Sequence, residues 1–336
     1  MSNSKPRTDR RRFLFLVGGA GGLAAFGTIP LLRARGLEKA GRTSRALGSE
    51  VSITALHEDR REAERAIDDA FAELETVEEV MSLYRPHSQL CRLNREGAIE
   101  NPHPYLVAVL RAAGETSRGS DGAFDATVQP LWQLYSDAKK AGRLPDPAAI
   151  EEATRRVDWK KVEVTSGRIR LGDGMAVTLN GIAQGFAADR VQAALQARGI
   201  RHALVNTGEF GVLGRKADGT PWTLGIQHPR RPDAYIALAA LEGRFLSTSG
   251  DYATSFSPDF RHHHIIDPRT GLSPAEFSSV SVVARTGIES DALTKVLFVM
   301  GLEKGLDRLK ATPGADALVV FKDGRVLSTD GFPRLT

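Results

Sequence analysis

The order of apolar periodicities predicts an α+β protein, with mixed or antiparallel sheets and packed helices rather than a doubly wound parallel sheet. Three observations carry this. Ala63, Ala66, Ile67, Ala70, Phe71, Leu74, Val77 and Met81 step by three and four, which is one buried helical stripe. Short alternating segments come in pairs around turn residues, as in 162–171 about Ser166-Gly167 and 317–327 about Lys322-Asp323-Gly324. Helices fall between these hairpins without the regular strand–helix alternation that a parallel sheet needs.

In chain order, 44–56 alternates through Val51, Ile53 and Ala55 and is expected as the first strand. The striped helix covers 57–80. A second helix fits 104–118 and closes at Gly119. A third fits 146–157, with Asp146 as its cap and Pro147 at the first position, where a missing N–H has no partner to lose. After the 162–171 hairpin, a strand at 175–179 runs into Asn180-Gly181-Ile182-Ala183-Gln184-Gly185. A helix then opens with Ala187, Val191, Ala194 and Leu195 inward. Strands follow at 202–206, 222–227, 235–241 and 279–284, helices at 289–299 and 302–310, and the hairpin 317–321/325–327.

The 336 residues are 41% hydrophobic and 26% charged, the balance of a soluble body with a core. The net charge of +4 is unevenly placed. Residues 1–42 hold nine Lys/Arg against Asp9 and Glu38, so this leader carries +7 and the remainder −3. The folded part is therefore mildly acidic, which removes support for a nucleic-acid partner. Cys91 is the only cysteine, so an internal disulfide and a thiolate zinc cluster are both excluded.

Arg10-Arg11-Arg12-Phe13-Leu14 has a twin-arginine arrangement and precedes a Gly/Ala-rich apolar stretch at 15–32. That predicts recognition by the Tat export machinery, and a periplasmic protein or one anchored at the outer face of the inner membrane. No A-x-A cleavage site stands near 33–36. Residues 43–336 are expected to form one domain.

Four segments offer chemistry. Thr248-Ser249-Gly250-Asp251-Tyr252 supplies hydroxyl and backbone donors for an anion. His262-His263-His264 supplies imidazole, and Ile265-Ile266-Asp267-Pro268-Arg269-Thr270-Gly271 a turn to hold it; a polar surface hairpin accounts for the same composition. The turn at Asn180–Gly185 meets a helix N-terminus, where N–H groups and the helix dipole favour phosphate, although glycine is common at such turns. Ala123-Phe124-Asp125 puts an aromatic beside a carboxylate, fit for a polar heterocycle or for an Asp cap. Asp291 has Thr294 and Lys295 at i+3 and i+4, which suits a hard cation or a plain ion pair.

Together these segments resemble the ApbE family, flavin transferases that move FMN from FAD onto a protein hydroxyl. Leu47-Gly48-Ser49, the run 81–88, Asp189, the run 264–271 and 297–301 extend the resemblance over residues 44–332. It implies a T-fold-related architecture. It also implies that Leu47, Tyr84, Ala123, Phe124, Asp125, Thr178, Gln184 and Ile265 line FAD. Gly181 (through its carbonyl), Asp291 and Thr294 would serve magnesium, and His264 would deprotonate the acceptor Thr or Ser. The acceptor would be a flavoprotein of a membrane or periplasmic electron-transfer system. The chain departs from the family pattern at Thr178 (usually Asp), Asn180 (usually Gly) and Gln184 (usually Lys). At Lys295 a metal-binding hydroxyl is usual; Thr294, one position early, is rotated by about 100° on the helix. These departures imply that the Lys295 ammonium replaces part or all of the cation at the pyrophosphate. Two alternatives follow from them: an FAD-binding reservoir that has lost transfer, and an FAD pyrophosphatase in which water replaces the acceptor.

Overall fold

The computed structural model describes residues 36–335, so the twin-arginine segment lies outside the described residues. The chain opens with a hairpin, β1 (Glu38–Ala46) and β2 (Ser49–His57), where alternation indicates a single strand over 44–56. The turn sits at Leu47 and Gly48, with φ of 53° and 72°. Two successive positive φ values match the twist of a two-residue hairpin, but leucine gives no sequence signal for one. β1 is exposed at nearly every position and so carries no alternation to read. It begins at Glu38, inside the segment assigned to the leader.

Helix α1 (Arg60–Met81) is capped by Asp59, which accepts from the Arg61 N–H at 2.8 Å. Its buried face is the expected stripe; each fully buried leucine such as Leu74 contributes about 1.5–3 kcal/mol. Then follow α2 (Gln89–Glu96), β3 (Ala98–Glu100), α3 (Pro104–Gly119), α4 (Gln129–Lys140) and α5 (Pro147–Thr154). The small strands β4 (Glu163–Val164) and β5 (Arg168–Arg170) come next, then α6 (Ala183–Ala197), β6 (His202–Asn206) and β7 (Phe210–Leu213). The chain ends with β8 (Trp222–His228), β9 (Arg231–Leu241), β10 (Phe245–Gly250), β11 (Phe277–Ala284), α7 (Gly287–Met300), α8 (Leu302–Lys310), β12 (Asp316–Phe321), β13 (Val326–Ser328) and β14 (Arg334–Leu335).

Residues 175–179 pair with no strand, against expectation. Met175, Val177 and Leu179 are buried in alternation, which is why they read as one. Their backbone is held by a side chain instead: Asn94 accepts from the Val177 N–H at 2.7 Å and donates to its carbonyl at 2.8 Å.

Every strand pairing among the described residues is antiparallel. The main sheet has the order β1-β2-β6-β7-β10-β11-β12-β13, beside the smaller sheets β14-β9-β8 and β3-β5-β4. The main sheet is the middle of three layers. One face, through Ile53, Val205 and Val282, packs on helices; the other, through Leu204, Val283 and Leu318, packs on Leu224 and Ala239 of the β8–β9 sheet. β11 is consequently buried at all eight positions.

Helices α6 and α7 meet backbone to backbone. A Cβ on Gly185 would lie 2.1 Å from the Gly287 carbonyl oxygen, and one on Gly287 would lie 2.3 Å from that of Gly185. The smallness of Gly185 therefore serves helix packing rather than ligand approach. Asp189 of α6 fastens the same junction by accepting from the Gly287 and Ile288 N–H groups at 2.7 and 2.9 Å, at the N-terminus of α7.

Candidate active site

A cavity of about 460 Å³ opens where the β1–β2 turn, α6, α7 and the 250–268 loop converge. Its walls include Leu47, Tyr84, Phe124, Trp132, Ile265 and Ile266 on the apolar side. Thr178, Gln184, Glu209, Thr248, His264 and Lys295 stand on the polar side. Ala123, Asp125 and Gly181 complete the set, so the eleven cavity-lining residues expected from sequence face one space. Asp291 and Thr294 lie behind that wall, fully buried.

The apolar end is held by a strained turn. Leu47 adopts its left-handed conformation because its N–H donates to Glu78 Oε1 at 2.6 Å, while Arg85 secures Glu78 Oε2 at 2.6 Å. Tyr84 stands beside Gly48, 69% exposed, as an aromatic rim to the opening.

Asp125 acts as a cap. Its carboxylate accepts from the Thr127 N–H and hydroxyl at 2.8 and 2.7 Å and from the Trp159 N–H at 3.0 Å. Burial raises its pKa above the ordinary carboxylate value, and these donors oppose the shift. Thr178 ties the neighbouring strip to this turn through its N–H and the Ala126 carbonyl, 2.8 Å.

The three histidines diverge. His262 stacks near Tyr135 and His263 is buried edge-on to Phe298, where burial pushes its pKa down to about 4. His264 lines the cavity, with Nδ1 facing the Thr254 carbonyl at 3.3 Å. A carbonyl only accepts, so Nδ1 carries the proton and the basic lone pair belongs to Nε2.

Most hydroxyls of the 248–252 run bridge structure. Thr248 bonds Ser281 at 2.8 Å and Ser249 bonds Thr294 at 2.7 Å. Asp251 is buried against Arg230, which grips it through two bonds of 2.7 Å, and against Lys322, anchoring the loop.

At the cation side, Asp291 Oδ2 accepts from the Gly185 N–H at 3.0 Å, and Oδ1 accepts from the Lys295 ammonium. The α6 N–H expected to face an anion is thus engaged by Asp291. Lys295 also donates to the Asp291 carbonyl at 3.2 Å, and its Cε runs 3.6 Å from where a Gly181 Cβ would stand. Thr294 donates to that same carbonyl at 2.7 Å and turns to Ser249. The oxygens assigned to magnesium therefore do not fit a resident divalent ion: the ammonium holds the carboxylate oxygen such an ion needs, and the hydroxyl points elsewhere. Among the described residues no cluster of three or more His, Cys, Asp or Glu offers another metal site.

Glu209 is a wall residue that sequence reasoning missed. It is 4% exposed and accepts from the Thr248 N–H at 3.1 Å. The available signal was a carboxylate between the apolar strands at 202–206 and 210–213.

An antiparallel sheet with helices on one face, and a cavity with an apolar and a polar end at their edge, defines an α+β class with one main site. The sequence profile of the ApbE family matches residues 47–319, and the chain belongs to that family. It is 33% identical over 292 residues to the FAD:protein FMN transferase of Treponema pallidum, covering 80% of this chain and 81% of that protein. The Vibrio cholerae FAD:protein FMN transferase is 32% identical over 273 residues, 77% and 78% of the two chains. Among solved structures, the ApbE protein of Thermotoga maritima superposes with a TM-score of 0.80 at 26% identity, over 89% of this chain and all of that one. Apo flavinyl transferase ApbE of Pseudomonas stutzeri gives 0.76 at 28%, over 88% and 96%.

Proposed function

We propose that this chain transfers FMN from FAD onto a threonine or serine hydroxyl of a partner protein and releases AMP. The observation that carries the proposal is the division of one cavity into an apolar end and an end bearing His264 and Lys295. FAD has the same division, planar rings joined by a charged pyrophosphate. Leu47, Tyr84, Phe124 and Ile265 take the rings; Gln184 and Lys295 face the pyrophosphate.

In this reading the acceptor hydroxyl oxygen attacks the FMN-side phosphorus, and its proton passes to Nε2 of His264. The bond from that phosphorus to the bridging oxygen breaks. AMP departs with that oxygen and its electron pair, and FMN remains as a phosphodiester on the acceptor. Positioning and charge neutralisation supply most of the rate. Lys295 provides the fixed positive charge in place of magnesium, so transfer proceeds in chelator. The twin-arginine leader favours export, with an acceptor in a periplasmic or membrane electron-transfer protein.

Incubation with FAD, with and without a threonine-bearing peptide, tests the activity. Covalent FMN on the peptide with matching AMP is expected. Free FMN and AMP without labelled peptide would make it a pyrophosphatase, and bound unchanged FAD would make it a reservoir.

A further inference from the structure

A second cavity, about 150 Å³, adjoins the first and shares Glu209, Thr248, Gly250 and Ala253 with it. Its other side is built from Phe210, Gly225, Gln227 and Tyr252. It lies where β7 begins, because residues 207–209 form the turn between β6 and β7 and β10 runs on past it. β10 pairs with β7 only at Phe245↔Gly211 and Leu246↔Phe210. Two residues further, Thr248 has no strand partner because β7 begins at Phe210, and its N–H donates to the Glu209 carboxylate instead. The opening that results leads toward β8, an edge strand of the β14-β9-β8 sheet.

Charge separates the two spaces. Glu209 stands on the wall the two cavities share, with its carboxylate accepting from the Thr248 N–H. Lys295 and Gln184 line the large cavity and not the small one. Glu209 suits a ligand that donates hydrogen bonds: a hydroxyl or a backbone N–H. The small cavity matches a single side chain in size, and an edge strand offers main-chain groups to an extended segment.

We propose that the small cavity is the acceptor subsite, where a hydroxyl-bearing residue of an extended segment of the partner protein enters along β8 and Glu209 orients it toward the flavin phosphate. This rests on the transferase reading above. Glu209 is assigned as a positioning residue: it accepts a hydrogen bond from the incoming segment, while the proton in the transfer step still goes to His264.

The test uses the full protein, FAD, and short peptides with one central threonine, reading FAD affinity by flavin fluorescence and acceptor KM by covalent flavin on the peptide. Gln227→Trp fills the small cavity without touching the large one. It is expected to raise acceptor KM about tenfold or more while FAD affinity stays within about twofold. Glu209→Met keeps the length and removes both acceptor oxygens. It is expected to raise acceptor KM by about tenfold or more and to leave FAD affinity within about twofold, a split that a merely structural role would not produce. Acceptor KM unchanged in both variants, or FAD affinity falling in step with it, overturns the subsite. A wild-type protein that binds FAD but labels no peptide overturns the transferase reading and the subsite with it.

Discussion

Lys295→Thr is the most informative single substitution, because it puts a hydroxyl four residues after Asp291 and removes the ammonium. Asp291 is fully buried and Lys295 keeps 19% of its side-chain exposure. Once the lysine is gone, the carboxylate retains the Gly185 N–H on Oδ2 and loses its partner on Oδ1. Removing one partner of a buried ion pair costs about 3–5 kcal/mol; the partial exposure of Lys295 favours the lower end, about 3 kcal/mol. For a folded body of this size that is a fall in Tm of roughly 5 °C. Magnesium that binds the folded variant, at about a hundred times its Kd, returns about 2.7 kcal/mol. Thermal unfolding in magnesium and in chelator, paired with the FMN-transfer assay, is the measurement. The wild type is expected to show no magnesium effect in either assay, whereas the variant unfolds earlier in chelator and recovers in magnesium. Wild-type transfer abolished by chelator and restored by magnesium alone would refute the reasoning.

Gly185→Ala drives a methyl into the Gly287 carbonyl at 2.1 Å and into Asp291 Cβ at 2.7 Å, so a loss of about 3 kcal/mol or more is expected in urea unfolding. His264→Gln keeps the ring-sized polar group but no base, and transfer should fall by about a hundredfold to ten-thousandfold with FAD affinity within about twofold. Asp189 and His263 give opposing pH slopes. Burial holds Asp189 up near 6, so its contribution is present below about pH 4 and lost as pH rises through 6. Burial holds His263 down near 4, so its contribution is present above about pH 6.5 and lost as pH falls through 4. Each is worth about 3 kcal/mol. Relative to wild type, Asp189→Asn should therefore gain stability with rising pH across this window and His263→Gln should lose it; matching profiles in the two variants would show that neither group titrates as described.

The periodic elements were legible because packing imposed a period on them. α1 shows its stripe, α3 and α5 begin at Pro104 and Pro147, and α8 ends where its spacing ends. What escaped lacked a period or had one for another reason. β1 is too exposed to alternate, the Leu47 turn is held by Glu78 from thirty-one residues away, and 175–179 alternates under the control of Asn94. β10 and β7 are short and nearly all buried, which erases the alternation. At the site, residue types were readable and their targets were not. Thr248, Ser249 and Asp251 looked like anion donors, yet bond Ser281, Thr294 and Arg230, elements that only the tertiary fold brings beside them. Glu209 carried one faint signal, a carboxylate in the turn between the apolar strands β6 and β7, and its cavity wall comes from β8 and β10, which only the tertiary fold brings beside it.

The cation side shows what the substitution of Lys295 changes physically. Asp291 and Lys295 together sum to zero charge, where a divalent ion on the same carboxylate would leave one positive charge facing the pyrophosphate. Gln184 on the same wall brings no charge to the balance. In the proposed transfer, neutralisation of the leaving AMP falls on Lys295 and on the imidazolium that His264 becomes after taking the acceptor proton. That charge is carried by the chain and reaches its position only when α7 lies correctly against α6. The contacts that set this angle are Gly185 on Gly287 and Asp189 on the α7 N-terminus. A metal from solution would tolerate small shifts of the helix by adjusting its ligands; an ammonium tethered four residues from Asp291 has no such freedom. In that proposed reaction, packing at the α6–α7 junction acts on catalysis through electrostatics. Substitutions there that leave the protein folded but displace α7 are expected to lower kcat more than FAD affinity.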